Sequence, residues 1–310
     1  MGKTYLFRAK LEFDWGFQEA DIEKPPTPPV KLPVQLGPFR LDRSPNYGLY
    51  LEECGWSGPL NEKENITSHE YPISILYVEV KVTVPKGNSP IVVADDMFEQ
   101  LEAMFRLFQK GDLFLRRHLG QGWEVKDDRP QLVFFLMAEP AKPDPNALYC
   151  RGPYRLDDEI LQGFTAFFNR YWDIIHTKHQ PIYNALWRFN ANFERSSAAA
   201  RLLELVIALE ALFGDSSDSL AYKVALRCSS FLYPPSEERM KVFQQIKRVY
   251  GDRSKIVHGD RLEVNYTQEE MDYLENIVRI SICKFLEHYK KGNSINSPER
   301  LDEMLFFGKA

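Results

Sequence analysis

One charged residue lies in the predicted buried stripe of a helix. Apolar side chains recur there at the spacing of one helical face, and the helix ends before Gly259. The stripe consists of Phe243, Ile246, Tyr250 and Val257. Arg253 occupies the remaining position of this face. A guanidinium stays protonated in proteins and is costly to bury alone, so we expect Arg253 to be paired, solvated through a cleft, or placed at an interface.

A carboxylate on an earlier predicted helix has the same peculiarity. In the run RLLELVIALEALFG, Ile207 and Leu203 precede Glu210 by one and two helical turns, so Glu210 shares its face with apolar neighbours. Two opposite charges on apolar faces predict an ion pair between Glu210 and Arg253. A salt bridge that only fixes the register of the helices explains the same pattern equally well.

His258 is the second candidate for chemistry. A histidine titrates near neutral pH and can act as a general base or a general acid. Its position five residues after Arg253 puts the two side chains about 140° apart on an ideal helix. They can therefore act together only at a bent helix end or with a second subunit. The negative end of the helix dipole also explains a histidine that directly precedes a helix-ending glycine.

Composition and charge narrow the class of protein. The chain has 310 residues, a formal net charge of -5 and 44% hydrophobic residues, which indicates an ordinary globular protein of two domains without a global affinity for polyanions. It has neither an apolar run long enough to span a membrane nor a Walker loop, a G-x-S-x-G elbow or an HExxH helix. The four cysteines form no CxxC pair. We expect a reduced, cytoplasmic protein without a metal or cofactor.

Residues 1 to 150 predict a mixed α+β domain. The predicted strands are residues 4–14, 73–84, 113–117 and 131–139. We expect the first of them to be an edge strand. Prolines across residues 24 to 38 predict a loop, and apolar residues at helical spacing predict a helix over residues 95 to 111.

The pattern becomes helical after a boundary near residue 150. A large apolar face extends from Ile160 to Ile175. Further predicted helices cover residues 182–195, 197–213, 219–232, 237–258 and 268–290. The predicted fold class is therefore α+β, with a mixed domain at residues 1–150 and an all-α helical bundle at residues 151–310.

Four blocks between residues 182 and 290 resemble the Apea-like branch of the HEPN domains. The run YGDRSKIVHG, from Tyr250 to Gly259, is similar to their signature of an arginine, four residues and a histidine. The other blocks, in chain order, are NALWRFNANFERS, ARLLELVIALEALFG and YKVALRCSSFL. Ser254 departs from the Asn, Asp or His that catalytic relatives often carry after the arginine.

The resemblance implies a helical HEPN-type bundle and a metal-independent endoribonuclease. In such enzymes the arginine and histidine of both subunits of a two-fold dimer line one cleft. Carried over, Arg253 and His258 are the catalytic residues. The expected supporting residues are Glu210, Asp252, Ser254 and Lys255. The resemblance further implies RNA as partner, a homodimer, and a toxin-like role in bacterial stress or in abortive-infection defence against phage, with residues 1–150 sensing a trigger.

Two other functions remain open from the sequence. A non-catalytic HEPN module could bind RNA, a nucleotide or a protein partner, with Arg253 and Glu210 only holding the bundle together. A metal-dependent enzyme could use His176 and His179, which have an i, i+3 spacing, but the sequence offers no third ligand.

Overall fold

The described part of the chain forms two compact units. In this computed structural model the described residues are 2–13, 31–44, 75–117, 121–126, 129–134, 151–152, 154–215, 219–259, 266–293, 295 and 297–307. Unit 1 contains the described residues of Met1–Lys142 and Gly152–Trp172, and unit 2 those of Pro143–Arg151 and Asp173–Ala310. The boundary predicted from the sequence, near residue 150, places all later residues in the second domain. In the structure, the described residues of Gly152–Trp172 belong to unit 1.

Unit 1 is built on an antiparallel sheet with one packed face. Its strands are β1 (Lys3–Phe13), β2 (Val34–Leu36), β3 (Phe39–Ser44), β4 (Ile75–Val84), β5 (Leu113–Arg117), β6 (Gln121–Lys126) and β7 (Arg129–Phe134). Within the described residues the order is β2-β3-β4-β1-β6-β7, and β5 pairs with β1. Alternation explains the register, because Phe7 lies opposite Val80 and Ala9 opposite Val78, so that these buried side chains share a face.

A helix covers this apolar face. The helix, α1 (Pro90–Phe108), packs on β4 and β5. Proline at its first turn suits the start of a helix because no hydrogen bond from that nitrogen is needed there. Phe105 stacks on Phe164 with 3.8 Å between ring centroids, and Phe168 meets Phe39 edge to face. The aromatic residues after residue 158 therefore belong to a packed core.

Unit 2 contains helices and no strand within its described residues. Its helices are the end of α2 (Asp158–His176), α3 (Ile182–Ala191), α4 (Ala198–Phe213), α5 (Leu220–Leu232), α6 (Glu237–Val257), α7 (Gln268–Lys290) and α8 (Pro298–Phe307), with a 3-10 turn at Asn192–Glu194. Side chains cap four of them: Ser197 begins α4, Ser236 begins α6, Thr267 begins α7 in a capping box with Glu270, and Ser297 begins α8. Local signals thus fix where these helices start.

Most predicted elements are confirmed, and two assignments are wrong. The predicted loop at residues 24–38 contains the strand β2 at Val34–Leu36, which lies between Pro33 and Pro38 and pairs with β3. The prediction that residues 4–14 form an edge strand fails because β1 pairs with β4 on one side and with β5 and β6 on the other. Alternation suggested an edge, but both sides of β1 are paired, and Arg8 is bound to Glu79 on the neighbouring strand. The helix predicted at 95–111 begins earlier, at Pro90, and α8 was not predicted. Residues 24–30 and 135–139 lie outside the described residues.

No helix within the described ranges is both long enough and apolar enough to cross a membrane.

The buried arginine of α1 gives a test of the packing in unit 1. Arg106 has a fully buried side chain and donates hydrogen bonds to Glu102 (2.9 Å) and to the carbonyl of Leu113 (3.1 Å). Arg106→Ala leaves the buried Glu102 carboxylate without its counter-ion, so the free energy of unfolding should fall by about 3 to 5 kcal/mol. Urea-induced unfolding of the full chain measures the change.

Arg40→Ala is the matched control. Arg40 pairs with Asp42 at 2.5 Å, but its side chain is 50% exposed, so its loss should cost less than about 1 kcal/mol. Equal costs for the two substitutions would contradict the assigned burial of Arg106.

Candidate functional site

Arg253 and Glu210 meet where α6 packs against α4. The Nη2 atom of Arg253 lies 3.7 Å from Oε1 of Glu210, which makes an ion pair but is longer than a hydrogen bond. The side chain of Arg253 is 36% exposed and that of Glu210 is 19% exposed. The structure therefore brings the two predicted charges together, and the arginine is paired and also open to solvent.

Apolar packing of the two helices sets this pair in place. On α4, Leu205, Ala208 and Leu209 are completely buried. On α6, Ile246 and Val249 are equally buried and precede Arg253 by about two turns and one turn, respectively. These buried side chains determine which faces of α4 and α6 meet, and they thereby fix where Glu210 and Arg253 lie.

The last turn of α6 leaves the core after Tyr250. None of the residues 251–259 is buried, and the stripe member Val257 is 56% exposed. The apolar spacing correctly placed Ile246 and Tyr250 in the core, but it overestimated the burial of the helix end. Arg253 consequently lies at the border between the packed bundle and the surface.

Tyr250 brings a third polar group to the pair. The residue is only 7% exposed, and its hydroxyl forms no hydrogen bond of normal geometry, like the buried Oε1 of Glu210. Burial raises the pKa of the Tyr250 hydroxyl far above its usual value, and the adjacent Glu210 carboxylate raises this pKa further. The sequence pattern identified Tyr250 only as an apolar residue of the buried stripe. Its polar role could have been noticed because phenylalanine would fill such a position without a hydroxyl that needs a partner.

His258 ends α6 on the surface. Its backbone N–H donates to the carbonyl of Ser254 at 3.0 Å, and the chain then turns at Gly259 with a φ of +79°, which glycine adopts without strain. The His258 side chain is exposed and is not hydrogen-bonded by any of the described residues. The structure does not bring it beside Glu210, and its imidazole is accessible to a large substrate.

Of the other three supporting residues, Asp252 is held by a hydrogen bond, and Ser254 and Lys255 are exposed. Asp252 accepts a hydrogen bond from the hydroxyl of Tyr266 at 2.8 Å, which ties α6 to the segment before α7. Burial raises the pKa of Tyr266, as does this hydrogen bond to Asp252. Lys255 is exposed and lies 3.4 Å from Asp252, and Ser254 is exposed. Asp252 thus positions the helix end, whereas Ser254 and Lys255 face solvent.

Other arginines of unit 2 show what a structural ion pair looks like in this protein. Arg227 has a 7% exposed side chain, donates twice to Asp302 at 2.7 Å, and donates to the carbonyl of Phe213. Arg151 has a fully buried side chain and donates to Glu275 at 2.7 Å. The contact between Arg253 and Glu210 is 1.0 Å longer than these two contacts, and the Arg253 side chain is more exposed than those of Arg227 and Arg151.

The described histidines do not form a metal centre. No group of three or more His, Cys, Asp or Glu side chains within the described ranges could hold a metal ion. His179 instead contacts the hydroxyl of Tyr289 at 2.8 Å from Nε2. His176 is exposed on α2.

Protein-family models, curated proteins and solved structures were each compared with the chain, and none of them matches it. The relation to HEPN domains therefore stays a prediction from the quoted sequence blocks.

The stability contribution of Arg253 distinguishes a surface pair from a structural one. Arg253→Ala should lower the free energy of unfolding by only about 1 kcal/mol, because the guanidinium is partly hydrated and forms no hydrogen bond to Glu210. Arg227→Ala should cost more, about 2 to 3 kcal/mol, because it removes a largely buried guanidinium that donates twice to Asp302 and once to the buried carbonyl of Phe213. Urea-induced unfolding measures both, and an equally large loss for Arg253→Ala would show that its role is structural.

The two described cysteines should be poor nucleophiles. Burial raises the pKa of Cys228 to about 12 and that of Cys283 to about 11, so both stay protonated at pH 8. Peptide mass spectrometry after brief iodoacetamide treatment should find these two thiols unmodified in the folded chain and modified in urea. Rapid alkylation of either thiol under native conditions would contradict the assigned burial.

Proposed function

We propose that the protein is a metal-independent endoribonuclease of HEPN type, with Arg253 and His258 as its catalytic residues in a site shared by two subunits. In this proposal the helices of unit 2 form the HEPN bundle, and the protein works in the cytoplasm. The proposal extends to bacterial stress or anti-phage defence, with residues 1–150 responding to a trigger.

The observation that carries the proposal is the accessibility of Arg253. A guanidinium on a core-facing stripe is normally bound as tightly as Arg227, but Arg253 keeps a 3.7 Å contact to Glu210 and a 36% exposed side chain. It can therefore exchange the carboxylate for a phosphate more readily than the tightly bound Arg227 could exchange its own. The exposed His258 lies one and a half turns further along the same helix.

These two residue types suit RNA cleavage without a metal. The 2′-oxygen of the RNA attacks phosphorus, the bond from phosphorus to the 5′-oxygen breaks, and a 2′,3′-cyclic phosphate remains. An imidazole can take the proton of the 2′-hydroxyl or give one to the leaving 5′-oxygen. A guanidinium binds the non-bridging oxygens and stabilises the charge that develops on them.

A second subunit would bring Arg253 and His258 together despite their angular separation on one helix. Their positions on α6 differ by about 140°, so one chain presents them on different sides of the helix, whereas a two-fold axis at the helix end supplies two copies of each to one cleft. The exposed Val257 offers apolar surface at this helix end. Asp252 would hold the helix end in place, and Lys255 and Ser254 would face the RNA.

A non-catalytic module is the second candidate. The contact between Arg253 and Glu210 is the observation that favours it, since an arginine engaged by a carboxylate can serve the bundle alone. In that case the surface at the end of α6 binds RNA, a nucleotide or a protein without cleaving a bond.

Cleavage of RNA in the presence of EDTA tests the proposal. The purified chain should produce fragments with 2′,3′-cyclic phosphate ends, and His258→Ala and Arg253→Ala should each reduce the rate by about 100-fold or more, because they remove acid-base catalysis or charge stabilisation. A gel assay on labelled RNA, followed by end-group analysis, measures rate and product.

His176→Ala and Lys255→Ala are the matched controls. The first removes another exposed histidine and the second removes another exposed cation from the same helix turn. The His176 variant should keep full activity, and the Lys255 variant should lose less than about tenfold, as for one solvated phosphate contact. Wild type and His258→Ala with equal rates would remove the enzymatic proposal and leave the binding module.

A further inference from the structure

Two polar atoms beside Arg253 are buried without a hydrogen bond of normal geometry. They are the hydroxyl of Tyr250 and Oε1 of Glu210, which belong to facing helices and interact electrostatically. A buried polar group without a partner is costly, and most are satisfied in native proteins. A pair of such atoms next to the candidate phosphate ligand therefore needs an explanation.

The charge balance changes when Arg253 leaves Glu210. At 3.7 Å the guanidinium offsets the carboxylate charge without donating a hydrogen bond to it. Movement of Arg253 onto a phosphate would leave a largely buried carboxylate without a counter-ion, which opposes the movement. A neighbouring hydroxyl that is free to donate would reduce this cost.

We infer that Tyr250 is a positioning residue that donates a hydrogen bond to Glu210 when Arg253 turns from Glu210 to a phosphate. This inference rests on the proposed function, in which Arg253 is the phosphate contact. Tyr250 fits the role because its hydroxyl is buried, protonated at every physiological pH, and already interacts with Glu210 without reaching the length and angle of a normal hydrogen bond. It touches neither the RNA nor the reacting atoms.

Tyr273 makes a tyrosine-carboxylate contact on α6 that lies far from Arg253. It donates to Glu238 at 2.9 Å near the beginning of the helix, about four turns from Arg253. Its hydroxyl already has a partner and has no arginine to replace. Tyr273→Phe is therefore the matched control for Tyr250→Phe.

Titration with inorganic phosphate at constant ionic strength tests the inference without requiring cleavage. The NMR signal of the Arg253 Nε–H group reports binding, and it is assigned by its loss in Arg253→Lys. Tyr250→Phe should weaken phosphate binding by about tenfold, the effect of one lost hydrogen bond to a charged group, while Tyr273→Phe should leave it unchanged. In a Glu210→Gln chain, Tyr250→Phe should change the affinity by less than about twofold, because no charge remains to be stabilised.

Each outcome decides the matter. Equal affinities of wild type and Tyr250→Phe, or an Arg253 signal that does not respond to phosphate in the wild type, would overturn the inference. Should Tyr250→Phe not fold, Glu210→Gln alone carries the test: removal of the charge that retains Arg253 should strengthen phosphate binding, and unchanged or weaker binding would overturn the inference. Phosphate binding that depends on Tyr250 in a chain that cleaves no RNA would instead remove the enzymatic proposal alone.

Discussion

The contact between Arg253 and Glu210 is the interaction on which the candidate site depends. The two residues lie on helices whose apolar faces are locked together, so the charges cannot avoid one another, yet their 3.7 Å separation leaves the pair without a hydrogen bond. A closer pair, such as Arg227 with Asp302, would be stable but closed to ligands. A fully solvated arginine would lack orientation. In the proposed function, the intermediate burial of Arg253 orients the guanidinium and also lets it exchange the carboxylate for a phosphate.

Much of the fold was accessible from local patterns. Helical spacing predicted α3 to α7 closely, and starts such as Thr267 with Glu270 are encoded within one turn. The position of β1 inside the sheet could not be predicted, since a central strand and an edge strand show the same alternation of apolar and polar residues. The short α8 was missed because its apolar pattern is brief, and its place depends on Arg227 reaching Asp302 across a long stretch of sequence.

The candidate site was only partly predictable for the same reason. Arg253 and Glu210 were visible as charges among apolar residues, and a stripe position is a local property. The exposure of Val257 and His258 was not visible, because it depends on where the neighbouring helices end. The role of Tyr250 requires knowledge of which carboxylate lies beside its hydroxyl, which only the packing of α4 against α6 determines.

The most direct test of the account is an experimental structure of the chain with a short RNA whose 2′-hydroxyls are methylated to prevent cleavage. The account predicts that Arg253 leaves Glu210 and binds a phosphate at about 2.8 Å, with His258 of the same or the other subunit at the adjacent ribose. An Arg253 that stays on Glu210 while the RNA binds elsewhere would contradict the central claim.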